Sequence, residues 1–417
     1  GFSAGLPLAL SGETLRVWMA ERGVDFGTIG LIALAGLPYT LKFLWAPLVD
    51  ALGVPWLSER LGHRRGWLIA TQLALMIAIL FLGTRDPASA PLMVGLGALF
   101  VAFTSATQDI VIDAFRVESL PTDEQAAGMA GYVAAYRIGM LASGAGVIGL
   151  SAWLEARGVA KESIWPIAYA VAAALVIVGM LAVLAGREPE DVAGRAHESK
   201  ADALTRVFTA ARGAFADFLT RDAAIAVLVF VVLYKLCDAL AGTMTAPFVI
   251  GGMGYDKATY AAVVKGIGLV ALLIGGFAGG VVARTLPLSR ALWLGAVLQL
   301  VSNLAFVWLY FQPVAAWALT AAIIVENFTG AIGTVIFVAY LSALCGNPLH
   351  TATQYALLSA LASTGRTFLS SGSGFLVNAV GWPLFFILTA AAALPALALL
   401  AWLQRRGHFD GLAQQAR

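Results

Sequence analysis

Asp109 and Asp113 stand four residues apart in an otherwise apolar stretch, so on a helix both carboxylates leave from one face. Two acids this close and away from bulk water cannot both be ionised cheaply, and the pair is expected to hold a proton between them. That chemistry suits a proton carrier. All four histidines, His63, His197, His350 and His408, fall in loops or tails, which leaves carboxylates to do the work. The competing reading is a static ion pair of either aspartate with Arg137. A second constellation is Tyr234, Lys235 and Asp238, where Asp238 can reach the other two across one helical turn, as a site or as a pair that neutralises itself. Arg137 and Arg366 hold corresponding places in two similar stretches, with Tyr132, Tyr136 and Tyr355 on the same segments. Arginine grips a carboxylate with two parallel hydrogen bonds, and tyrosine offers an aromatic face, so this set suits a ligand with sugar rings and acidic groups. Glu326 with Asn327, and Gln354 with Ser359, can bind hydroxyls or amides, although such residues singly are more often helix–helix bonds.

These groups are costly where they stand. The chain is 60% hydrophobic and 12% charged over 417 residues, against about 25% charged in soluble domains. Roughly 20 apolar residues cross a hydrocarbon core as a helix. The sequence predicts twelve such segments, near 1–19, 26–53, 66–85, 90–117, 123–156, 163–186, 222–251, 255–285, 288–311, 313–345, 350–380 and 381–404. Ten ionisable residues are read at membrane depth within them, away from the segment ends, each costing on the order of 2.5–3.5 kcal/mol. The acids Glu13, Asp109, Asp113, Asp238 and Glu326 lie on segments one, four, seven and ten. The bases Lys42, Arg137, Lys265 and Arg366 lie on segments two, five, eight and eleven, and Lys235 accompanies Asp238 on the seventh. Segments three, six, nine and twelve carry no interior charge. A water-filled cavity lined by a fixed subset of helices requires this kind of sorting.

Lysine and arginine divide fifteen to six between the two faces that these segments define, which predicts that both termini and the central loop are cytoplasmic. An internal repeat is visible: FTSATQDIVIDAF from Phe103 parallels FTGAIGTVIFVAY from Phe328, and RIGMLASGAG from Arg137 parallels RTFLSSGSG from Arg366. Six segments repeated in one topology are the halves of the major facilitator architecture. The expected organisation is an all-α polytopic membrane protein with bundles at 1–186 and 222–404, a tail at 405–417, and a cytoplasmic linker at 187–221. Leu204, Val207, Phe208, Ala211, Phe215 and Phe218 are spaced in that linker as one face of an amphipathic helix. The apolar run already under way at Gly1 leads to the expectation that native residues precede it.

Other functions find little support. GAGVIG at 144–149 satisfies a dinucleotide fingerprint in letters only, because it lies inside an apolar helix with no strand before it. Neither a Walker A loop nor an HExxH or GxSxG element occurs. Cys237 and Cys345 fit buried filler rather than a disulfide or metal pair, so no metal or cofactor is expected. A net charge of +2 gives no reason to expect a nucleic-acid partner.

Several stretches resemble the AmpG-type muropeptide permeases: GLPLAL at 5–10, KFLWAPLVD at 42–50, RRGWLIATQ at 64–72, SATQDIVIDA at 105–114, YRIGMLASG at 136–144, LYKLCDALA at 233–241, ENFTGAIGT at 326–334 and TQYALLSAL at 353–361. The resemblance implies a proton-coupled symporter that brings anhydro-muropeptides from periplasm to cytoplasm across the bacterial inner membrane, for cell-wall recycling and β-lactamase induction. It implies a monomer in the lipid bilayer whose partners are protons and an anionic glycopeptide. Proton coupling then falls to Asp109, Asp113, Asp238 and Glu326, and substrate binding to Lys42, Tyr132, Tyr136, Arg137, Tyr234, Lys235, Lys265, Asn327, Gln354, Tyr355 and Arg366. The loop from Asp50 through Gly62-His-Arg-Arg-Gly66 resembles a stretched major facilitator loop signature, which implies a conformational latch of Asp50 with Arg116, flanked by Arg64 and Arg65. The Gln-Asp-x-x-x-Asp element at 108–113 also resembles the acetyl-CoA transporter branch, so an acyl-CoA-like cofactor or a siderophore is the alternative cargo. An intramembrane enzyme or sensor is the rival of another class, although no nucleophile–base constellation supports it.

Overall fold

The computed structural model describes residues 1–119, 125–189, 223–344 and 351–415. It is helical throughout, and no strand occurs among the described residues. The chain divides into two units, Gly1–Leu204 and Thr205–Arg417. Residues 190–222, where an amphipathic linker helix is expected, lie outside the described residues, as does Cys345.

Among the described residues, the first unit holds six longer helical segments, with short helices at Ala46–Ala51 and Leu57–Leu61 between the second and third. α1 runs Phe2–Ser11, breaks at Gly12 and resumes over Glu13–Glu21. α2 spans Phe26–Leu44 and is started by Asp25, whose carboxylate accepts from the Thr28 amide at 3.1 Å, the usual way of satisfying an orphan donor at a helix start. α3 is His63–Gly83 and α4 is Pro91–Ser119. α5 begins at Gln125–Leu141, passes through a π-helical turn at Ala142–Gly146, and ends with Val147–Ala156. α6 is Lys161–Ala185.

The second unit repeats the plan with α7 (Ala224–Gly252), α8 (Lys257–Thr285), α9 (Leu288–Tyr310), α10 (Ala316–Ala343), α11 (Thr351–Ser371, continued by Ser373–Val380) and α12 (Trp382–Arg405). Among the described residues, ten helices are long and apolar enough to cross a membrane. The two predicted segments outside that set are α1 and α11, the first broken at Gly12 and the second rich in Ser and Thr.

Packing fixes α1 at both ends of the first unit. Gly5 lies where a Cβ would come within 2.0 Å of the Tyr136 carbonyl oxygen, so α1 and α5 touch backbone to backbone, as small residues allow between membrane helices. At the other end Trp18 stacks on Trp165 at 5.4 Å, the Trp165 indole donates to Glu21 at 2.7 Å, and the Tyr169 hydroxyl donates to the Leu10 carbonyl at 2.9 Å. Arg22 donates to Asp86 at 2.9 Å. Burial works against ionisation of Asp86, but the hydrogen bond and charge of Arg22 outweigh it and hold this carboxyl below the usual range. The second unit packs around an aromatic core in which Tyr234 stacks on Phe337 at 5.3 Å and Phe230 meets Tyr340 edge-on at 5.4 Å.

Candidate functional site

Each unit gathers its own ionisable cluster. In the first unit α4 presents Asp109 and Asp113 one turn apart, as the spacing requires. The Trp45 indole donates to Thr107 Oγ1 at 3.1 Å, which ties the end of α2 to α4 and brings Lys42 Nζ to 3.8 Å from Asp113. This is a loose pair, with side chains 32% and 48% exposed, and such pairs contribute little to stability. Asp109 differs. It is buried, and its Oδ1 has no hydrogen-bond partner among the described residues. An ionised carboxylate is expensive in that position and a proton removes the expense. From α5, Tyr132 and Tyr136 sit with ring centroids 6.1 Å apart, and the charge of Asp109 reaches both hydroxyls.

Arg137 departs from the expectation of a static bridge to α4. Among the described residues it makes no ion pair, and it is exposed. Asp113 turns to Lys42 on α2 instead. Helical periodicity explains the difference: Arg137 follows Tyr136 by one residue, about 100° round the helix, and Tyr136 is the residue turned toward Asp109.

In the second unit α7 supplies a buried Lys235, which donates to Asp238 and to the Gly330 carbonyl on α10, the latter at 3.3 Å. Arg366 lies over the Phe337 ring at 6.0 Å and within the field of Asp238. Glu326 accepts from Asn327 Nδ2 at 2.7 Å, and Asn327 also donates to the Ile323 carbonyl at 3.1 Å. Lys265 is half-buried on a π-helical turn, Ala261–Ile267; such irregular turns are frequent at functional sites. Tyr234 is the correction here. Its ring belongs to the aromatic core, and its hydroxyl donates to the Leu292 carbonyl at 3.1 Å rather than to Asp238. The helix breaks between Ala224–Leu233 and Leu236–Ala246, so Tyr234 is out of the register with Asp238 that an unbroken helix would give. The side chains of Gln354 and Tyr355 lie outside the described residues.

Arg64 and Arg65 bind within the first unit. Arg64 is buried and holds Glu118 through Nε at 2.9 Å and Nη2 at 2.7 Å. Glu188 accepts from the amides of Arg64 and Arg65 at 2.7 and 3.0 Å, capping α3, while the Arg65 side chain donates to the carbonyls of Val183 and Leu184 at 3.1 and 3.0 Å. Together they staple the ends of α3, α4 and α6. Removing one side of a buried pair strands the other, so Arg64→Ala is expected to cost the unit about 3 kcal/mol, read as a lowered melting temperature in detergent. An unchanged melting temperature would show that the staple is dispensable. Arg116 lies at the end of α4; the Asp50 side chain lies outside the described residues.

Sequence reading gave no site role to a group of uncharged polar residues in the first unit, Tyr39, Gln72 and Ser105, and named Gln108 only as part of the 108–113 element. Tyr39 Oη, Gln72 Oε1, Ser105 Oγ and Gln108 Oε1 are all buried without a hydrogen-bond partner among the described residues. The available signal was their presence, as amides and hydroxyls, on the same apolar segments as the charges.

The family model of the Major Facilitator Superfamily matches residues 2–354. The anhydromuropeptide permease of Escherichia coli (strain K12) is 40% identical over 402 residues, covering 96% of this chain and 77% of that protein. Among solved structures, the nucleoside transporter NupG superposes with a TM-score of 0.70 at 14% identity, covering 96% of this chain and 97% of that one. A peptide transporter in complex with alafosfalin superposes with a TM-score of 0.68 at 14% identity, covering 98% and 94%. At these identities the two structures speak for the fold.

Proposed function

This chain belongs to the Major Facilitator Superfamily, a family of membrane transporters and not of enzymes, and from that premise we propose that it imports anhydro-muropeptides by proton symport. The observation that carries the cargo is the 40% identity, over nearly the whole chain, to a protein named for anhydromuropeptide transport. The site chemistry agrees with an anionic glycopeptide. Arg137 is exposed and makes no ion pair among the described residues, so its guanidinium is open to a carboxylate, while Tyr132 and Tyr136 on the same helix offer aromatic faces to a sugar ring. Lys42, Lys235, Lys265 and Arg366 add positive charge in the two units, and Asn327, Gln354 and Tyr355 add hydrogen-bonding groups.

Coupling falls first to Asp109, on the strength of its burial and its unpartnered oxygen. Asp113, Asp238 and Glu326 each have a neighbouring donor and act in support. The protein acts as a monomer in the bacterial inner membrane, with bundles 1–186 and 222–404, linker 187–221 and both termini in the cytoplasm. Asp50 and Arg116 latch one conformation, on the ground braced by Arg64 and Arg65.

Proteoliposome counterflow tests the reading. Labelled anhydro-muropeptide outside should exchange with unlabelled muropeptide trapped inside, and a reduced stem peptide lacking the sugars should exchange about tenfold more slowly. Exchange of an acyl-CoA or a siderophore instead would move the assignment to another cargo on the same fold. Absence of any carrier-accelerated exchange would overturn it altogether.

A further inference from the structure

Eight buried side-chain polar atoms lack a hydrogen-bond partner among the described residues, and five of them belong to one neighbourhood of the first unit: Tyr39 Oη, Gln72 Oε1, Ser105 Oγ, Gln108 Oε1 and Asp109 Oδ1. Their placement follows from three helices. Ser105, Gln108 and Asp109 share one face of α4 by their spacing of three and four. Gln108 Nε2 donates to Ser3 Oγ on α1 at 3.2 Å, and Gln72 Nε2 on α3 donates to the same oxygen at 3.4 Å. From α2 the Tyr39 hydroxyl lies near the Ser105 and Ser11 hydroxyls without a well-formed hydrogen bond to either, and within the field of Asp109 and Tyr136. The Ser11 hydroxyl donates to the Pro7 carbonyl at 3.0 Å, which leaves its lone pairs open to a donor.

Buried polar groups are nearly always satisfied, and a single orphan is easily a local imperfection. Four gathered beside one carboxylate that is itself unpartnered are a different matter, because they supply the two to four polar partners that a buried water needs. The amides are already oriented by Ser3, so their carbonyl oxygens are fixed as acceptors. Ser105 and Tyr39 can each donate and accept.

We propose that this seam holds buried water within the first unit and is the path by which protons reach Asp109, with Tyr39 and Ser105 as its positioning residues. The step balances without any co-reactant. A water beside Asp109 gives a proton to Oδ1 and takes one from the hydroxyl or water behind it; each of these is restored by the next, so one proton enters the seam for each one that Asp109 gains. The proposal rests on the reading of Asp109 as the coupling acid. The charged or titratable groups that face that acid are Lys42 and Tyr39 from α2, Asp113 from α4, and Tyr132 and Tyr136 from α5.

The test uses the full chain in proteoliposomes, with Tyr39→Phe and Ser105→Ala, each of which removes one oxygen and little volume. Uptake of labelled anhydro-muropeptide driven by a pH gradient should slow about tenfold, its pH profile should move by half a unit or more, and counterflow should stay within twofold of the parent. Ser105→Thr, which restores a hydroxyl, should recover most of the rate. Equal loss of uptake and counterflow would mark the pair as structural and overturn the proposal, as would unchanged uptake with an unchanged pH profile. Asp109→Asn run beside them separates the two ideas. If it abolishes gradient-driven uptake while Tyr39→Phe and Ser105→Ala leave it intact, the coupling acid stands and the seam falls. If Asp109→Asn still concentrates substrate, the reading of the acid falls, and the seam with it.

Discussion

Asp109→Asn is expected to reduce gradient-driven accumulation of muropeptide to a ratio near one, while counterflow persists. With the membrane potential clamped at zero, each coupled proton crossing a gradient of one pH unit contributes about 1.4 kcal/mol, a tenfold accumulation. Without a titratable group that work cannot be transferred to the cargo. With a potential imposed the loss should grow, because an anion entering a negative compartment works against about 2.3 kcal/mol per charge per 100 mV. Asparagine keeps the size of the side chain and supplies its own hydrogen-bonding atoms, so exchange that needs no net proton movement should survive. Asp113→Asn should be milder. Asp113 is partly exposed and loosely paired with Lys42, and its loss leaves Lys42 exposed enough to be solvated. Undiminished accumulation by Asp109→Asn would shift coupling to Asp238 or Glu326.

The second large effect concerns packing. Glycines 275, 276, 279 and 280 look equivalent as a stripe of small residues, but α10 distinguishes them. A Cβ on Gly275 would stand 2.3 Å from the Phe328 carbonyl oxygen, and one on Gly279 would stand 3.0 Å from the Ile332 Cα, whereas Gly276 and Gly280 have nothing within 4 Å. The obstacle at Gly275 is backbone, which cannot rotate aside. Gly275→Leu must therefore push α8 from α10, next to Glu326 and Asn327. Overpacking of this kind costs about 3 kcal/mol, or roughly 5–10 °C in melting temperature for a unit of this size, and counterflow should be lost. Gly276→Leu should melt within about 2 °C of the parent and exchange normally. Equal behaviour of the two variants would mean that α8 does not bear on α10 in the membrane as it does here.

The two cases show where sequence stops being informative. Charge at membrane depth was readable because it is so costly that it persists only where function or pairing maintains it. Asp109, Asp113, Lys42, Lys235, Asp238, Glu326 and Arg366 were singled out in this way. The same rule overlooked Tyr39, Gln72, Ser105 and Gln108, since an amide or hydroxyl in an apolar helix is as often a helix–helix bond as a site. Their significance lies in gathering from separate helices beside one acid with oxygens unpartnered.

Hydropathy, charge sorting and the internal repeat by themselves determined that this is an all-helical membrane protein of two repeated halves, and the quoted motifs determined its family. These are properties of composition and of residues near in the chain. Partner choice belonged to the tertiary structure. It turned Tyr234 into the core and onto Leu292, sent Asp113 to Lys42 rather than Arg137, and bound Arg64 to Glu118 across 54 positions. Sequence spacing fixes the face from which a side chain leaves its helix, but what it meets there depends on the rotation and approach of the neighbouring helix. Those are set by many small contacts such as Gly5 against Tyr136, spread over residues distant in the chain.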